Sequence, residues 1–185
     1  MTGFCARFAS SLSAKAAVVT GCGVAALTIA TLASAESLPV KQGPAVPFPQ
    51  IDLSEEATCL AQNIYFEARS EPSDGKLAVG HVVLNRVASK RFPDTICKVV
   101  RQGGERRDRC QFSWWCDGRS DRPHNKGAWN TARLMAWLIY NGQTVDPTGG
   151  ALWYHAVYVE PYWRTAFVEG PRIGRHIFFR NVGSR

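Results

Sequence analysis

Glu67 is the residue whose type and position most invite chemistry. It closes the run Asn63-Ile64-Tyr65-Phe66-Glu67 and precedes Ala68-Arg69-Ser70-Glu71-Pro72. Upstream of it, Ala57, Leu60, Ala61, Ile64 and Ala68 recur at three- and four-residue steps, which describes one buried stripe on a helix. Glu67 falls inside that stripe, three places after Ile64 and seven after Leu60. A carboxylate there is costly unless it is paired, hydrogen-bonded or protonated. Burial among Ile64, Tyr65 and Phe66 would raise its pKa, which is what a general acid needs. The bland alternative is an ion pair with Arg69 or Arg86, or a lip position reaching water. Pattern alone leaves both open. Glu71 lies one turn further on nearly the same face. Next to Pro72, it is expected at the exposed helix end, where it helps to position the turn.

The elements that must hold Glu67 follow from periodicity and punctuation. Asp52 or Ser54 is the expected cap of the first helix, Asp52 with Glu55 having capping-box spacing, and Pro72 limits its end. A second helix is predicted from Asp74 to Lys90. Leu77, Val79, Gly80, Val83, Leu84 and Val87 cover most of its circumference, so it should be central and buried. Asn85 on that helix needs partners. It either orients Glu67 or a substrate group, or caps a neighbouring backbone. His81, at the edge of the apolar arc, reads as a hydrogen-bonded packing residue. Phe92-Pro93-Asp94-Thr95 is a turn into a short helix, Asp94 to Arg101, which Gly103-Gly104 ends. The segment Cys110-Gln111-Phe112-Ser113-Trp114-Trp115-Cys116 places adjacent tryptophans where they can stack on sugar faces or pack on the core. Gln111 and Ser113, at alternate positions, can face one side together. An amphipathic helix is predicted over Lys126 to Tyr140, with Asn141-Gly142 as its stop signal. Residues 151–155 and 175–180 read as strands that can pair, and Pro161-Tyr162-Trp163-Arg164 as an irregular link. There is no internal repeat and no Gly-rich phosphate loop.

Composition places the chain outside the cytoplasm. Residues 1–35 carry only Arg7 and Lys15 as charges, then an apolar run from Ala16 to Leu32 ending in Ala33-Ser34-Ala35. That is a signal peptide with a small-x-small cleavage site. Gly21, Gly23 and three threonines weaken the run as a permanent anchor, so contact with a membrane is expected only through this segment if it stays uncleaved. Val19-Thr20-Gly21-Cys22 resembles a lipoprotein box but sits too early in the run. Residues 36–51, with Pro39, Pro44, Pro47 and Pro49, form a linker, and 52–185 the folded domain. The mature part keeps Cys59, Cys97, Cys110 and Cys116, an even count that favours two disulfides in an exported chain. Of three possible pairings, Cys110 with Cys116 closes a short loop and Cys59 with Cys97 ties two helices. A zinc site is disfavoured because no Cys-x-x-Cys pair is present. The formal charge is +7 for the whole chain; losing Arg7 and Lys15 leaves 20 basic against 15 acidic residues, or +5. A basic exported protein suits an anionic polymer such as cell-wall glycan, and no nucleic-acid motif is present.

Several blocks of the chain resemble the SleB-type cell wall hydrolase family. They are residues 63–72, Gly75-Lys76-Leu77-Ala78-Val79, Val83-Leu84-Asn85-Arg86-Val87, Phe92-Pro93-Asp94-Thr95-Ile96, Cys110-Gln111-Phe112, residues 146–151 and Ile173-Gly174-Arg175-His176-Ile177-Phe178. The resemblance spans nearly everything from Cys59 to Phe179. It implies an α+β, mainly helical fold like that of lysozyme-like lytic transglycosylases, with a small antiparallel sheet near the C-terminus. It also implies Glu67 as the catalytic residue. Ser70 stands where the family commonly has Gly, and no peptidoglycan-binding repeat domain is recognisable. The cysteines and short form resemble members from Gram-negative bacteria, implying a periplasmic or cell-wall location and wall peptidoglycan as the partner.

The implied reaction cuts the β-1,4 bond between N-acetylmuramic acid and N-acetylglucosamine, with Glu67 as acid and then base. Substrate contacts are expected from Tyr65, Asn85, Gln111, Ser113 and Trp114. No cofactor or metal is required, and a monomer is expected. A hydrolytic muramidase would add Glu71 or Asp117 to activate water. A zinc amidase would recruit His81, His124, His155 or His176, none of which forms a His-Glu-x-x-His unit. A non-catalytic glycan-binding protein is the remaining alternative.

Overall fold

The computed structural model describes residues 51–104 and 109–183. The expected signal peptide, and all of the linker but its last residue, lie outside the described residues. The first helix, α1 (Glu55–Ala68), starts at Ser54, whose hydroxyl accepts from the Ala57 N–H at 3.2 Å; Ser54, not Asp52, is the cap. All five stripe residues, Ala57, Leu60, Ala61, Ile64 and Ala68, are buried. The helix stops before Pro72, and a turn at residues 69–72 leads into α2 (Ser73–Ala88). A Cβ on Gly80 of α2 would run into Ile139 and press on Ile64, so this position lets helices approach closely.

The short helix α3 (Ile96–Val100) is capped by Thr95, and the Cys59–Cys97 disulfide ties it to α1. Helix α4 (Lys126–Tyr140) has the bounds its periodicity predicted and is capped by Asn125. Helix α1 packs on α2, α3 and α4. Between them lies a core that includes Leu60, Ile64, Tyr65, Val83, Val99 and Ile139.

Three strands follow: β1 (Trp153–Ala156), β2 (Val168–Ile173) and β3 (His176–Arg180), antiparallel in the order β1-β3-β2. Trp153 faces Phe179 and Ala156 faces His176, the pairing expected of these two segments. The edge strand β2 was not expected. Gly170 and Pro171 interrupt its sequence, and the register shifts between Glu169 and Arg172. A proline is tolerated at such an edge irregularity. The Pro161–Arg164 stretch leads into a 3₁₀ turn, Tyr162–Ala166. A second core joins Ala68, Ala78, Val79 and Val82 of the helices to Phe178 of β3. The fold is thus mainly helical with a small C-terminal sheet, as expected. Among the described residues no helix is long and apolar enough to cross a membrane.

Candidate active site

Glu67 sits on the last turn of α1, half-buried. The Tyr154 hydroxyl of β1 donates a hydrogen bond to its Oε2 at 3.1 Å. Burial pushes the Glu67 carboxyl above its ordinary pKa; the Tyr154 bond and the charge of Arg86 pull it back only in part. Arg86 lies on α2, buried, with Nε donating to Leu152 O at 2.8 Å. Its guanidinium lies 5.2 Å from the Phe92 ring centroid and 5.0 Å from that of Phe112. Burial lowers its pKa to about 10, so it stays cationic at neutral pH. Glu67 makes no ion pair among the described residues. Arg86 acts on it through space, and Arg69 lies instead over the Tyr65 ring.

The carboxyl borders two open cavities. One, of about 220 Å³, is lined also by Arg86, Gln111, Phe112, Ser113 and Tyr154. The other, of about 200 Å³, is lined by Ser70, Glu71, Tyr158, Arg175 and His176 among others. An acid between two open cavities is reachable from either side by an extended chain. The Cys110–Cys116 disulfide closes the loop that carries Gln111 and Ser113, and both expected cysteine pairs are present.

Not every residue singled out from the sequence reaches this cleft. Gln111 and Ser113 do, and both are exposed. Trp114 is buried, stacked on Phe66 with centroids 4.7 Å apart, and its indole N–H donates to Asn63 Oδ1 at 3.2 Å. It therefore packs, and lines a separate cavity of about 390 Å³ with Asp117. Tyr65 needs correcting. It is buried in the helical core, and its hydroxyl accepts from the His124 and Asn125 backbone N–H groups at 3.2 and 3.1 Å. It pins the start of α4 and does not face the cleft. Asn85 needs correcting too. Its amide donates to Asp146 Oδ2 and to Ala151 O, at 2.9 and 3.1 Å, which fixes the loop before β1.

Glu71 is buried rather than exposed. Its Oε2 accepts from the Arg175 backbone N–H at 2.9 Å and its Oε1 from Arg175 Nε at 2.8 Å. Burial alone would raise its pKa, but these bonds and the neighbouring Arg175 and His176 hold it below the ordinary value. Asp117 spends Oδ1 on the Arg119 backbone N–H at 2.8 Å. His81 meets Thr144 Oγ1 at 2.9 Å, and among the described residues no three His, Cys, Asp or Glu side chains converge as a metal site. Tyr154 was missed as a site residue. It sits in a short aromatic strand where alternation says which face is buried but not what lies opposite.

The helical domain with its small sheet thus presents, on an open cleft, a carboxyl whose pKa burial raises, a group suited to general-acid chemistry. The family model for cell wall hydrolases matches residues 70–179, and the chain belongs to that family. Glu67 lies three residues before the matched span. The spore cortex-lytic enzyme of Halalkalibacterium halodurans is 35% identical over 120 residues, covering 64% of this chain and 33% of that protein. That of Oceanobacillus iheyensis is 33% identical over 137 residues, covering 73% of this chain and 45% of the relative. The chain thus spans a third to just under half of these relatives' length. The catalytic domain of the germination-specific lytic transglycosylase SleB from Bacillus anthracis superposes with a TM-score of 0.57 at 31% identity, covering 71% of this chain and 99% of that domain. The catalytic domain of the Bacillus cereus SleB protein gives 0.54 at 30% identity, covering 75% and 100%.

Proposed function

We propose that this protein is a lytic transglycosylase that cuts the N-acetylmuramic acid–N-acetylglucosamine β-1,4 bond of peptidoglycan, with Glu67 as its catalytic residue. The observation that carries this reading is the desolvated Glu67 carboxyl, hydrogen-bonded to Tyr154, on the wall of two open cavities. Protonated Glu67 donates its proton to the glycosidic oxygen, and the bond to the anomeric carbon breaks. The carboxylate so formed takes the proton of the muramic 6-hydroxyl as that oxygen bonds to the anomeric carbon. The products are a 1,6-anhydro end and a free 4-hydroxyl, and Glu67 ends protonated again. Arg86 and Tyr154 steady the transient carboxylate.

The nearby carboxylates support this over hydrolysis, which needs a second carboxylate beside the sugar as the base that activates water. Glu71 is committed to Arg175, and Asp117 lines a different cavity. Gln111 and Ser113 are the substrate contacts in this reading. Two disulfides and the leader-like N-terminus support export, to the periplasm or cell wall. Mass spectrometry of fragments released from isolated sacculi by the purified protein tests the chemistry. Anhydromuramyl ends are expected; reducing ends would make it a muramidase, and free stem peptides an amidase.

A further inference from the structure

A third cavity at the C-terminal end of α1, of about 390 Å³, is larger than either of the two that Glu67 borders. Phe66 and Trp114 line it, while their chain neighbours Glu67 and Ser113 line the cleft beside it, so the two cavities share a wall. Its other walls hold Arg69, Arg119, Asp117 and Asp121, around a volume of about 390 Å³. Charges of both signs in one concavity ordinarily pair. Here, among the described residues, no ion pair joins any of the four. Arg69 rests over the Tyr65 ring, Asp117 turns back on the Arg119 N–H, and Asp121 has no hydrogen-bonding partner among the described residues. Burial and the nearness of Asp117 both raise the Asp121 pKa, the mark of a carboxyl lacking a cation. Two guanidinium groups and two carboxyls around a stacked aromatic wall make a receptor for a small zwitterion.

We infer that this cavity is a subsite for the peptide stem of the muramic residue. Arg69 and Arg119 would take the stem's carboxylates, Asp117 and Asp121 the ammonium of a diamino acid, and the Phe66–Trp114 wall its apolar atoms. This rests on the activity proposed above. The lactyl ether that carries the stem is on the same sugar whose anomeric carbon reacts beside Glu67, so a stem cavity must adjoin the acid. A bare glycan strand has no group that uses charges of both signs.

Two measurements test the subsite independently of the chemistry. In the first, the tripeptide L-Ala-γ-D-Glu-meso-diaminopimelate is titrated into the ¹⁵N-labelled protein. Saturable amide shifts are expected over residues 114–124, and they should be lost in the double variant Arg119→Gln/Asp121→Asn. No shifts, or the same shifts in the variant, would overturn the assignment. In the second, kcat/KM is compared on glycan strands with stems and on strands stripped of them by an amidase. The protein should favour stem-bearing strands about tenfold, and the double variant should bring that ratio towards one. A ratio near one before substitution sinks the subsite and leaves the catalytic reading standing. Tripeptide binding without strand cleavage does the reverse.

Discussion

The Tyr154 hydroxyl crosses from β1 to α1 and donates its proton to Glu67 Oε2 at 3.1 Å. That bond favours the carboxylate, against a burial that favours the acid. The two effects oppose each other at the residue that, in the proposed reaction, gives and then takes a proton. Replacing Tyr154 with Phe should raise the Glu67 pKa further. The enzyme reacts with Glu67 protonated, so the alkaline limb of the pH–rate profile should move to higher pH. The turnover number should fall by about tenfold or more, since a hydrogen bond to a charged group contributes roughly 1.5–3 kcal/mol. A profile with an unmoved alkaline limb would show that the bond does not tune the acid.

Glu67→Gln should abolish release of anhydromuropeptides while making the fold more stable. The sign follows from linkage. The folded-state pKa of Glu67 is above the unfolded value, so the folded state binds more protons between the two. Stability is highest below the unfolded pKa, about 4.3 for Glu, and is lost as pH rises through the folded one. Gln does not ionise and escapes that loss. The variant should thus melt at a higher temperature than the parent at pH 7, with the gap closing towards pH 4. A lower melting temperature at pH 7 would contradict the desolvated acid on which the mechanism depends.

Much of this arrangement is legible in the sequence, for identifiable reasons. Glu67 announces itself because a helix puts it among apolar positions of fixed period, and the stripe residues are all buried. The bounds of α4 are legible because Asn125 and Asn141 flank a clean apolar face. Partnership across elements is not local information. Nothing near Asn85 says that it binds residues 146–151, nor anything near Tyr65 that its hydroxyl caps the approach to α4. Strand β2 is hidden because Gly170 and Pro171 obscure its alternation. Glu71 reads as exposed because its partner, Arg175, is more than a hundred residues away.

The two disulfides should separate stability from activity. Cys59–Cys97 spans 38 residues and joins α1 to α3. Loop-closure entropy assigns it about 4 kcal/mol, against about 2 for the six-residue Cys110–Cys116 loop. Replacing Cys59 and Cys97 by Ala should lower the melting temperature the more. Replacing Cys110 and Cys116 should cost less stability but more activity, because Gln111 and Ser113 lose their fixed place beside Glu67. Thermal melts and initial rates on sacculi, measured on both variants, check the ordering.

The turn between β2 and β3 is docked on the end of α1 through Glu71, and acid should loosen it. Glu71 accepts from the backbone and the side chain of Arg175, whose guanidinium also donates to Ser70 Oγ at 2.8 Å. Ser70 thus adds an anchor to the same turn. Gly174 sits at φ +57°, and a Cβ there would strike Glu71 Oε2, so the docking needs glycine on both counts. Because Glu71 is held below its ordinary pKa, its contribution is fully present above the unfolded value and is lost as pH falls through the folded one. Glu71→Gln should lower stability by about 1 kcal/mol at pH 7, below the usual range for a charged hydrogen bond because solvent screens Arg175. The deficit should shrink in acid, as should the stability gain, of opposite sign, expected for Glu67→Gln. Gly174→Ala should cost more than Glu71→Gln and show little pH dependence above pH 5, since backbone strain does not titrate. Chemical denaturation of the three variants between pH 3 and pH 7 reads these slopes, and a parallel deficit at every pH for Glu71→Gln would remove the carboxylate from the account.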